Sequence, residues 1–536
     1  MRVRAENMTD GPTCALTCPH APRLSRLGLP SRRRVPASSP LPQQSVLTAT
    51  VSGSGRSWLT WLRDPPLVQS VSANYAPARE RRWWLRPAGS VVAAYLVVLI
   101  AGIILLYLPI AKVGEGGATL MQAAFTATSV VCVTGLAVVD TATYWTGFGQ
   151  GVIFVLCELG GLGVMSLTTL VVLGVSHRIG LRQRMSASAE SGFGPGMVKG
   201  VVRLVVVLAL VCQSIIAILL TLRWWLHYDY SFPKALWLGV FHAASAFNNL
   251  GFALFSDNLM GFTEDWWICG PICAGIILGG LGLPVIIEMW RHRLRWGFLR
   301  RATGHDQLSI PRRWTVHTRM VLVGTGVLII SGFVGFLLFE WGNPGTLGPL
   351  SGSGKVLAAL CLSVFPRTGG FNSVNVADLS SESWFTTDVL MYIGGSPAST
   401  AGGLKITTLG VLVAIAVTEI RGNAHTRIYD RVIPAATQRS AVAVSAAFTA
   451  AVLTATGVLL ILTPYELSDV LTEAISALAT VGLSTGITPS LSEPALLVLM
   501  LLMFAGRLGP ITLAAALALN ARPAHYQLPE ERPYIG

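Results

Sequence analysis

Charge is what this chain has least of. Of its 536 residues only 12% are Asp, Glu, Lys or Arg, 52% are hydrophobic, and the mean hydropathy is +0.59. A soluble globular domain carries roughly 25% charged residues, so the shortfall excludes that class and implies a membrane protein. Apolar runs recur along the chain, beginning with the uncharged residues 91–110. At ~1.5 Å rise per residue such a run crosses a ~30 Å hydrocarbon core. Enzymatic signatures are missing as well. There is no Walker glycine loop, no HExxH, no strand–GxGxxG–helix unit and no clustered nucleophile and base, so catalysis and nucleotide binding by this chain have no support. The eight cysteines show no metal-ligand spacing. Cys14 and Cys18 lie in a polar tail, Cys132, Cys157, Cys212 and Cys361 in apolar runs, and Cys269 and Cys273 at a helix start. They read as small buried residues, not as a disulfide framework. A net charge of +13 raises nucleic acid as a partner, but most of it sits in the N-terminal tail and in loops between apolar runs, which argues for none.

What is present is a glycine motif that occurs four times. Val133-Thr-Gly-Leu136, Phe247-Asn-Asn-Leu-Gly-Phe252, Pro366-Arg-Thr-Gly-Gly-Phe371 and Ala479-Thr-Val-Gly-Leu483 each place a glycine before a Leu or Phe. Gly135, Gly251, Gly370 and Gly482 are separated by 116, 119 and 112 residues. A second glycine motif follows each one, at Gly160, Gly279, Gly394 and Gly506, with offsets of 25, 28, 24 and 24 residues. Two registers in step mark a fourfold internal repeat.

Each repeat reads as helix, short re-entrant helix, glycine loop, helix. The short helices are expected at 120–131, 233–247, 354–365 and 467–479, too short to span and suited to a segment that enters the membrane and turns back. The flanking helices are expected at 91–110 and 147–174, 201–227 and 266–290, 316–341 and 386–420, and 441–462 and 494–517. The expected fold is an all-α membrane protein of eight spans around a central pore. Its parts are a disordered basic cytoplasmic tail (1–86), four repeats (87–176, 177–290, 291–420 and 421–520) and a cytoplasmic C-terminal tail (521–536). Residues 1–86 hold 13 Arg against 4 acidic residues and no long apolar run. The inter-repeat loops 177–203, 291–319 and 421–440 hold 5, 8 and 4 Lys or Arg. By the positive-inside rule they are cytoplasmic, together with both termini. The glycine loops then open outward. Acidic residues in the outer connectors, among them Asp140, Asp257, Glu264, Asp265, Glu382 and Glu466, form either a cation-concentrating vestibule or an ordinary polar rim.

Non-helical backbone at membrane depth is tolerated only where it is buried in protein or lines a water-filled path. Four such loops entering from one side have an economical arrangement around a pseudo-fourfold axis. Glycine lets the backbone turn its carbonyls inward and the segments approach closely, and carbonyls can replace the hydration shell of a monovalent cation. No carboxylate lies within the four core motifs, which argues against a divalent-cation filter. The candidate filter is Val133, Thr134 and Gly135; Asn249, Leu250 and Gly251; Thr368, Gly369 and Gly370; and Thr480, Val481 and Gly482.

These motifs, with Ala124-Phe-Thr-Ala-Thr-Ser129, His242-Ala-Ala-Ser-Ala-Phe-Asn-Asn249, Gly394-Gly-Ser-Pro-Ala-Ser-Thr-Ala-Gly-Gly403 and Phe504-Ala-Gly-Arg-Leu-Gly-Pro510, resemble the Trk/Ktr potassium-uptake proteins over about residues 88–520. A first repeat that starts directly at Val91 is closer to the Ktr type. The resemblance implies K⁺ movement through a single-chain pore at the plasma membrane. It also implies a homodimer in membrane lipid, a cytoplasmic nucleotide-binding regulatory subunit, and no cofactor bound by this chain. In the related HKT family a serine at the first filter position goes with sodium selectivity, and Gly135 stands here, so K⁺ is expected over the alternative of a sodium-permeable or Na⁺-coupled transporter.

Residues 394–403 interrupt the third-repeat helix with four glycines, a proline and three hydroxyl residues. Such a stretch holds no stable helix in the bilayer unless neighbours satisfy its backbone. The resemblance implies a gating loop here, comprising Gly394, Gly395, Ser396, Ala398, Ser399, Thr400, Ala401, Gly402 and Gly403, with Lys405. Glu158 and Arg507 lie inside expected spans, where a charge costs at least ~2.5 kcal/mol and usually has a partner. Repeats one and four adjoin on a closed ring, so the two are expected to pair.

Overall fold

The structure, a computed structural model, describes residues 87–176, 198–294 and 314–509. The tail 1–86, residues 521–536 and most of the first two basic loops lie outside the described residues. Leaving aside one-turn pieces, fourteen helices follow one another among the described residues: α1 (Pro87–Tyr107), α2 (Leu120–Val131), α3 (Gly147–Ser176), α4 (Val198–Leu226), α5 (Phe232–Asn248), α6 (Trp266–Leu281), α7 (Leu283–Leu294), α8 (Val316–Glu340), α9 (Gly352–Val364), α10 (Ser381–Tyr392), α11 (Ile406–Ile420), α12 (Ala435–Leu462), α13 (Leu467–Ala479) and α14 (Glu493–Leu508). The order long helix, short helix, irregular loop, helix occurs four times, with α2, α5, α9 and α13 as the short helices.

Local chemistry starts and stops these short helices. Thr119 and Gln122 form a reciprocal capping box on α2, and the Ser351 side chain accepts from the Gly354 amide at the start of α9. A cap of this kind contributes about 1 kcal/mol. At the other end, α5 and α13 stop on left-handed residues, Asn249 and Thr480.

One expected helix and one expected loop are corrected, and one expected interruption is located. The helix expected over 266–290 breaks at Gly282, whose φ is +78°, and bends by 104° between α6 and α7. Gly282 takes a backbone conformation that ends a helix, and Pro284 follows it. The helix expected over 386–420 begins at Ser381, and the interruption expected at 394–403 falls between α10 and α11, at residues 393–405. The loop 421–440 is not wholly irregular: Arg427–Ile428 and Arg431–Val432 pair as a small antiparallel hairpin, and α12 starts at Ala435.

Among the described residues, three helical stretches are long and apolar enough to cross a membrane, Val206–Leu226, Val316–Glu340 and Ala435–Leu462, or four if α6 and α7 count as one broken span. Of the eight spans expected, two are divided, one at Gly282 and one at residues 393–405. The long helices turn large apolar side chains outward, with Ile330 64%, Leu338 73% and Ile461 85% exposed. Such a surface is unsuited to water and suited to lipid. The inward faces bury Phe125, Phe247, Phe336 and Phe371 around the irregular loops.

Candidate functional site

The chain leaves each short helix with the same backbone alternation. Val133, Asn249, Thr368 and Thr480 have φ of 53°, 62°, 65° and 52°. Two residues later Gly135, Gly251, Gly370 and Gly482 have φ of 98°, 84°, 69° and 98°. Three of the four non-glycine residues are β-branched, and a left-handed conformation there costs of order 1–3 kcal/mol each. Hydrogen bonds back to the helix end hold the strained turns. The amides of Thr134, Leu250 and Val481 donate to the carbonyls of Ser129, Ser245 and Ser476 at 2.7, 2.8 and 2.9 Å, and Gly370 donates to Phe365 at 3.2 Å. The hydroxyls of Ser129 and Ser476 accept from the amides of Gly135 and Gly482, both at 3.1 Å.

The four loops meet around one axis. A Cβ on Gly135 would fall on the carbonyl of Leu250, one on Gly370 on that of Val481, and one on Gly482 on that of Thr134. On Gly251 it would lie 2.6 Å from the carbonyl carbon of Gly370. Each glycine therefore faces the next loop in chain order, and the fourth faces the first. The ring closes. All twelve residues singled out from the sequence as a filter are brought together here. The Asn249 amide donates to the Thr368 hydroxyl at 2.9 Å across two loops.

The second glycines serve close packing. A Cβ on Gly160, Gly279 or Gly506 would meet the carbonyl of Val131, Phe247 or Leu478, at the end of that repeat's own short helix. Repeat three differs, because a Cβ on Gly394 would meet the carbonyl of Gly402 within residues 393–405.

Residues 393–405 form a closed loop. Ile393 and Leu404 bridge in parallel at its neck, and the Gly394 amide donates to the Leu404 carbonyl at 2.9 Å. Ser396 donates to the Gly280 carbonyl at 2.9 Å and Thr400 to that of Gly279 at 3.3 Å. The Thr400 hydroxyl reaches the Phe247 carbonyl at 3.2 Å, and the Lys405 ammonium donates to the carbonyls of Ala401 and Gly402 at 2.6 and 3.3 Å. Ser399 closes on the Ser396 carbonyl at 2.6 Å. Ala398 has a φ of 58° and Gly403 one of 66°. All the residues singled out as a gate thus lie in or beside one buried loop.

Arg507 and Glu158 do not pair. The Arg507 guanidinium donates to the carbonyls of Thr400 and Gly160, tying the loop to repeat one. The Glu158 carboxylate instead accepts from the Asn248 amide at 3.0 Å. Glu158 and Gly160 lie on different sides of α3, so that only the glycine carbonyl faces Arg507. Among the described residues the one close ion pair is Arg223 with Asp265, at 2.8 Å.

Several connector carboxylates have structural partners. The Asp140 carboxylate accepts from the hydroxyls of Ser256 and Thr143 at 2.6 and 2.7 Å. Burial opposes ionisation of Asp140, but these bonds and the Ala142 amide outweigh it and hold the carboxyl below its usual range. Glu264 accepts from the Ser351 amide at 2.6 Å. Burial, with Asp265 beside it, pushes the Tyr228 hydroxyl up to about 12. Sequence reasoning missed Ser129, Ser245 and Ser476 as loop anchors. A serine six residues before Gly135, Gly251 and Gly482 was the available signal.

Comparison with known proteins places this architecture. The family model described as "TrkH: Cation transport protein" matches residues 90–523. The Ktr system potassium uptake protein B of Vibrio alginolyticus is 36% identical over 451 residues, 83% of this chain and 94% of that protein. Its namesake in Bacillus subtilis is 34% identical over 84% of this chain and 98% of that protein. The potassium/sodium uptake protein NtpJ of Enterococcus hirae is 32% identical over 84% of this chain and 98% of that protein. The crystal structure of the potassium transporter TrkH from Vibrio parahaemolyticus has the same fold, with a TM-score of 0.64 at 16% identity, covering 81% of this chain and 85% of that one. The chain therefore belongs to the TrkH family of cation transport proteins, and within it to the Ktr type.

Proposed function

We propose that this chain carries K⁺ into the cell across the plasma membrane, through a pore on the axis of the four glycine loops. The observation that carries this proposal is the closed ring, in which each glycine faces the carbonyl of the next loop. Residues of positive φ alternating with residues of negative φ turn successive carbonyls to the same side, and such carbonyls can replace the shell of a dehydrated monovalent cation. The four short helices act as re-entrant pore helices and aim their carbonyl ends, where a partial negative charge gathers, at the pathway. Residues 393–405 act as the gate, with Lys405 and Arg507 holding their carbonyls away from the ion path. The four exposed arginines 421, 427, 431 and 439 support a cytoplasmic orientation of their end of the protein by the positive-inside rule, and the proposal assigns both termini to the same side.

The relatives are named as parts of a Ktr system. In keeping with that, the chain works as a homodimer with a cytoplasmic nucleotide-binding regulatory subunit, binds no cofactor itself and is not an enzyme. The test is growth rescue of a K⁺-uptake-deficient bacterium at low K⁺, with Gly135→Ser alongside. Rescue by the parent chain, lost or made Na⁺-sensitive by the serine, is expected. No rescue despite confirmed membrane expression, with and without a regulatory partner, would overturn the proposal.

A further inference from the structure

The four short helices each lead into a ring glycine, so positions at equal distance from that glycine can be compared. Nine residues before each ring glycine stand Thr126, His242, Cys361 and Glu473. All four are buried, at 2%, 0%, 0% and 1% exposure. Two of them are ionisable side chains that reach past the ring to the segment on its far side. In repeat four the Glu473 carboxylate accepts from the Ser484 hydroxyl, and from that of Thr488 at 3.0 and 3.1 Å. Ser484 follows Gly482 by two residues. Its hydroxyl also lies 2.9 Å from that of Thr488 and accepts from the Gly486 amide at 2.9 Å. In repeat two His242 Nδ1 lies 2.8 Å from the Leu238 carbonyl of its own helix. Its Nε2 accepts from the Leu254 amide, three residues beyond Gly251, at 3.3 Å. The same ring stacks on Phe371, the residue after Gly370, at 6.5 Å between centroids.

A buried carboxylate is costly unless its oxygens are satisfied. Here nearly all its hydrogen bonds go to the loop that continues from the ring, not to a charge partner. Repeats two and four are opposite one another in the ring, so the two anchors act on opposite loops.

We infer that Glu473, with His242 diagonally opposite, positions the outward-continuing segments of the ring loops and so sets the ion selectivity of the pore. Neither side chain touches the ion path; both act through the backbone that carries Gly482 and Gly251. The inference rests on the pore proposal above. Removing Glu473 frees Ser484 and Thr488, relaxes the strained Thr480–Gly482 turn and lets a smaller, more strongly hydrated cation pass.

The experiment is K⁺ uptake in the deficient bacterium with Na⁺ as competitor, for the parent chain, Glu473→Ala, Glu473→Gln and His242→Leu at matched membrane levels. Glu473→Ala should lower the preference for K⁺ over Na⁺ by about tenfold or more, as expected for loss of a charge-assisted anchor. Glu473→Gln keeps an acceptor and should stay within about threefold, because a neutral amide oxygen still accepts from both hydroxyls. His242→Leu should shift the preference in the same direction by less. If Glu473→Ala does not reach the membrane, Ser484→Ala with Thr488→Val removes the same bonds from the other side and should reproduce the loss. An unchanged K⁺ preference in Glu473→Ala, or in that double variant, overturns the inference. Absence of K⁺ uptake by the parent chain sinks the pore proposal instead.

Discussion

The glycine ring and the loop 393–405 lie on the same axis region but are built in opposite ways. The ring uses four copies of one device, and its precision is steric: positive φ, a glycine, and a neighbour's carbonyl where a Cβ would stand. The loop exists once, in repeat three, and is held by exchangeable hydrogen bonds to repeats two and four. It bonds to Gly279, Gly280 and Phe247 of repeat two and to Arg507 of repeat four, and Arg507 also holds Gly160 of repeat one. A coordination shell for a spherical ion calls for equivalent groups on every side. The gate proposed for this loop has to have two states, and one asymmetric segment held by replaceable bonds meets that need at lower cost.

The largest effect that would break this comparison is at the ring. Gly482→Ala puts a methyl group on the Thr134 carbonyl at a φ of 98°, and K⁺ uptake should fall about 100-fold or more, since coordination needs all four loops. Uptake of labelled Rb⁺ at matched membrane levels checks it. Near-normal flux would show the ring to be a packing feature.

Arg507→Ala should act in the opposite sense. It removes hydrogen bonds from a cation to the carbonyls of Thr400 and Gly160, each contributing about 1.5–3 kcal/mol. The loop should loosen, uptake should rise about tenfold in the absence of a regulatory signal, and thermal stability in detergent should fall. A loss of uptake with unchanged stability would mean that the guanidinium serves conduction and not the loop.

A smaller effect concerns Glu158. Because it bonds to Asn248 and not to Arg507, the stability changes of Glu158→Gln and Arg507→Ala should add to within about 0.5 kcal/mol in the double variant. Coupling beyond that would restore the pairing.

The smallest effect is at Asp140, which joins the connectors of repeats one and two through Ser256. Its carboxyl is held low in the folded protein, so its contribution is present above the unfolded value of ~3.9 and is lost as pH falls through the folded value. The melting temperatures of the parent and Asp140→Asn should differ modestly at pH 6, and the difference should shrink as pH falls below the unfolded value of ~3.9. A gap that does not narrow with falling pH would assign the effect to shape and not to charge.

How much of this was legible in the sequence depended on repetition. Gly135, Gly251, Gly370 and Gly482 could be found because each is one of four at a near-constant interval, and the positive φ they require is a property of glycine itself. The break at residues 393–405 was legible too, because four glycines and a proline cannot continue a helix. The break at Gly282 was not, since Gly279-Gly-Leu-Gly282 reads equally well as a packing motif. Residue spacing also could not give the partners of Glu158 and Arg507. They depend on which side of α3 and α14 each side chain leaves, a difference of one helical step that the fourfold register does not resolve. The far-side contacts of Glu473 and His242 were hidden for a related reason: their four equivalents, Thr126, His242, Cys361 and Glu473, share no chemistry, so the register that reveals the glycines conceals them.

The most direct test of the central claim is Rb⁺ flux into liposomes containing the purified chain, competed by K⁺ or by Na⁺, for the parent and for Gly135→Ser. A K⁺-selective pore at the ring predicts parent flux suppressed by K⁺ far more than by Na⁺, with that preference reduced by the serine. Parent flux that K⁺ and Na⁺ suppress equally, or a preference untouched by the serine, would contradict it.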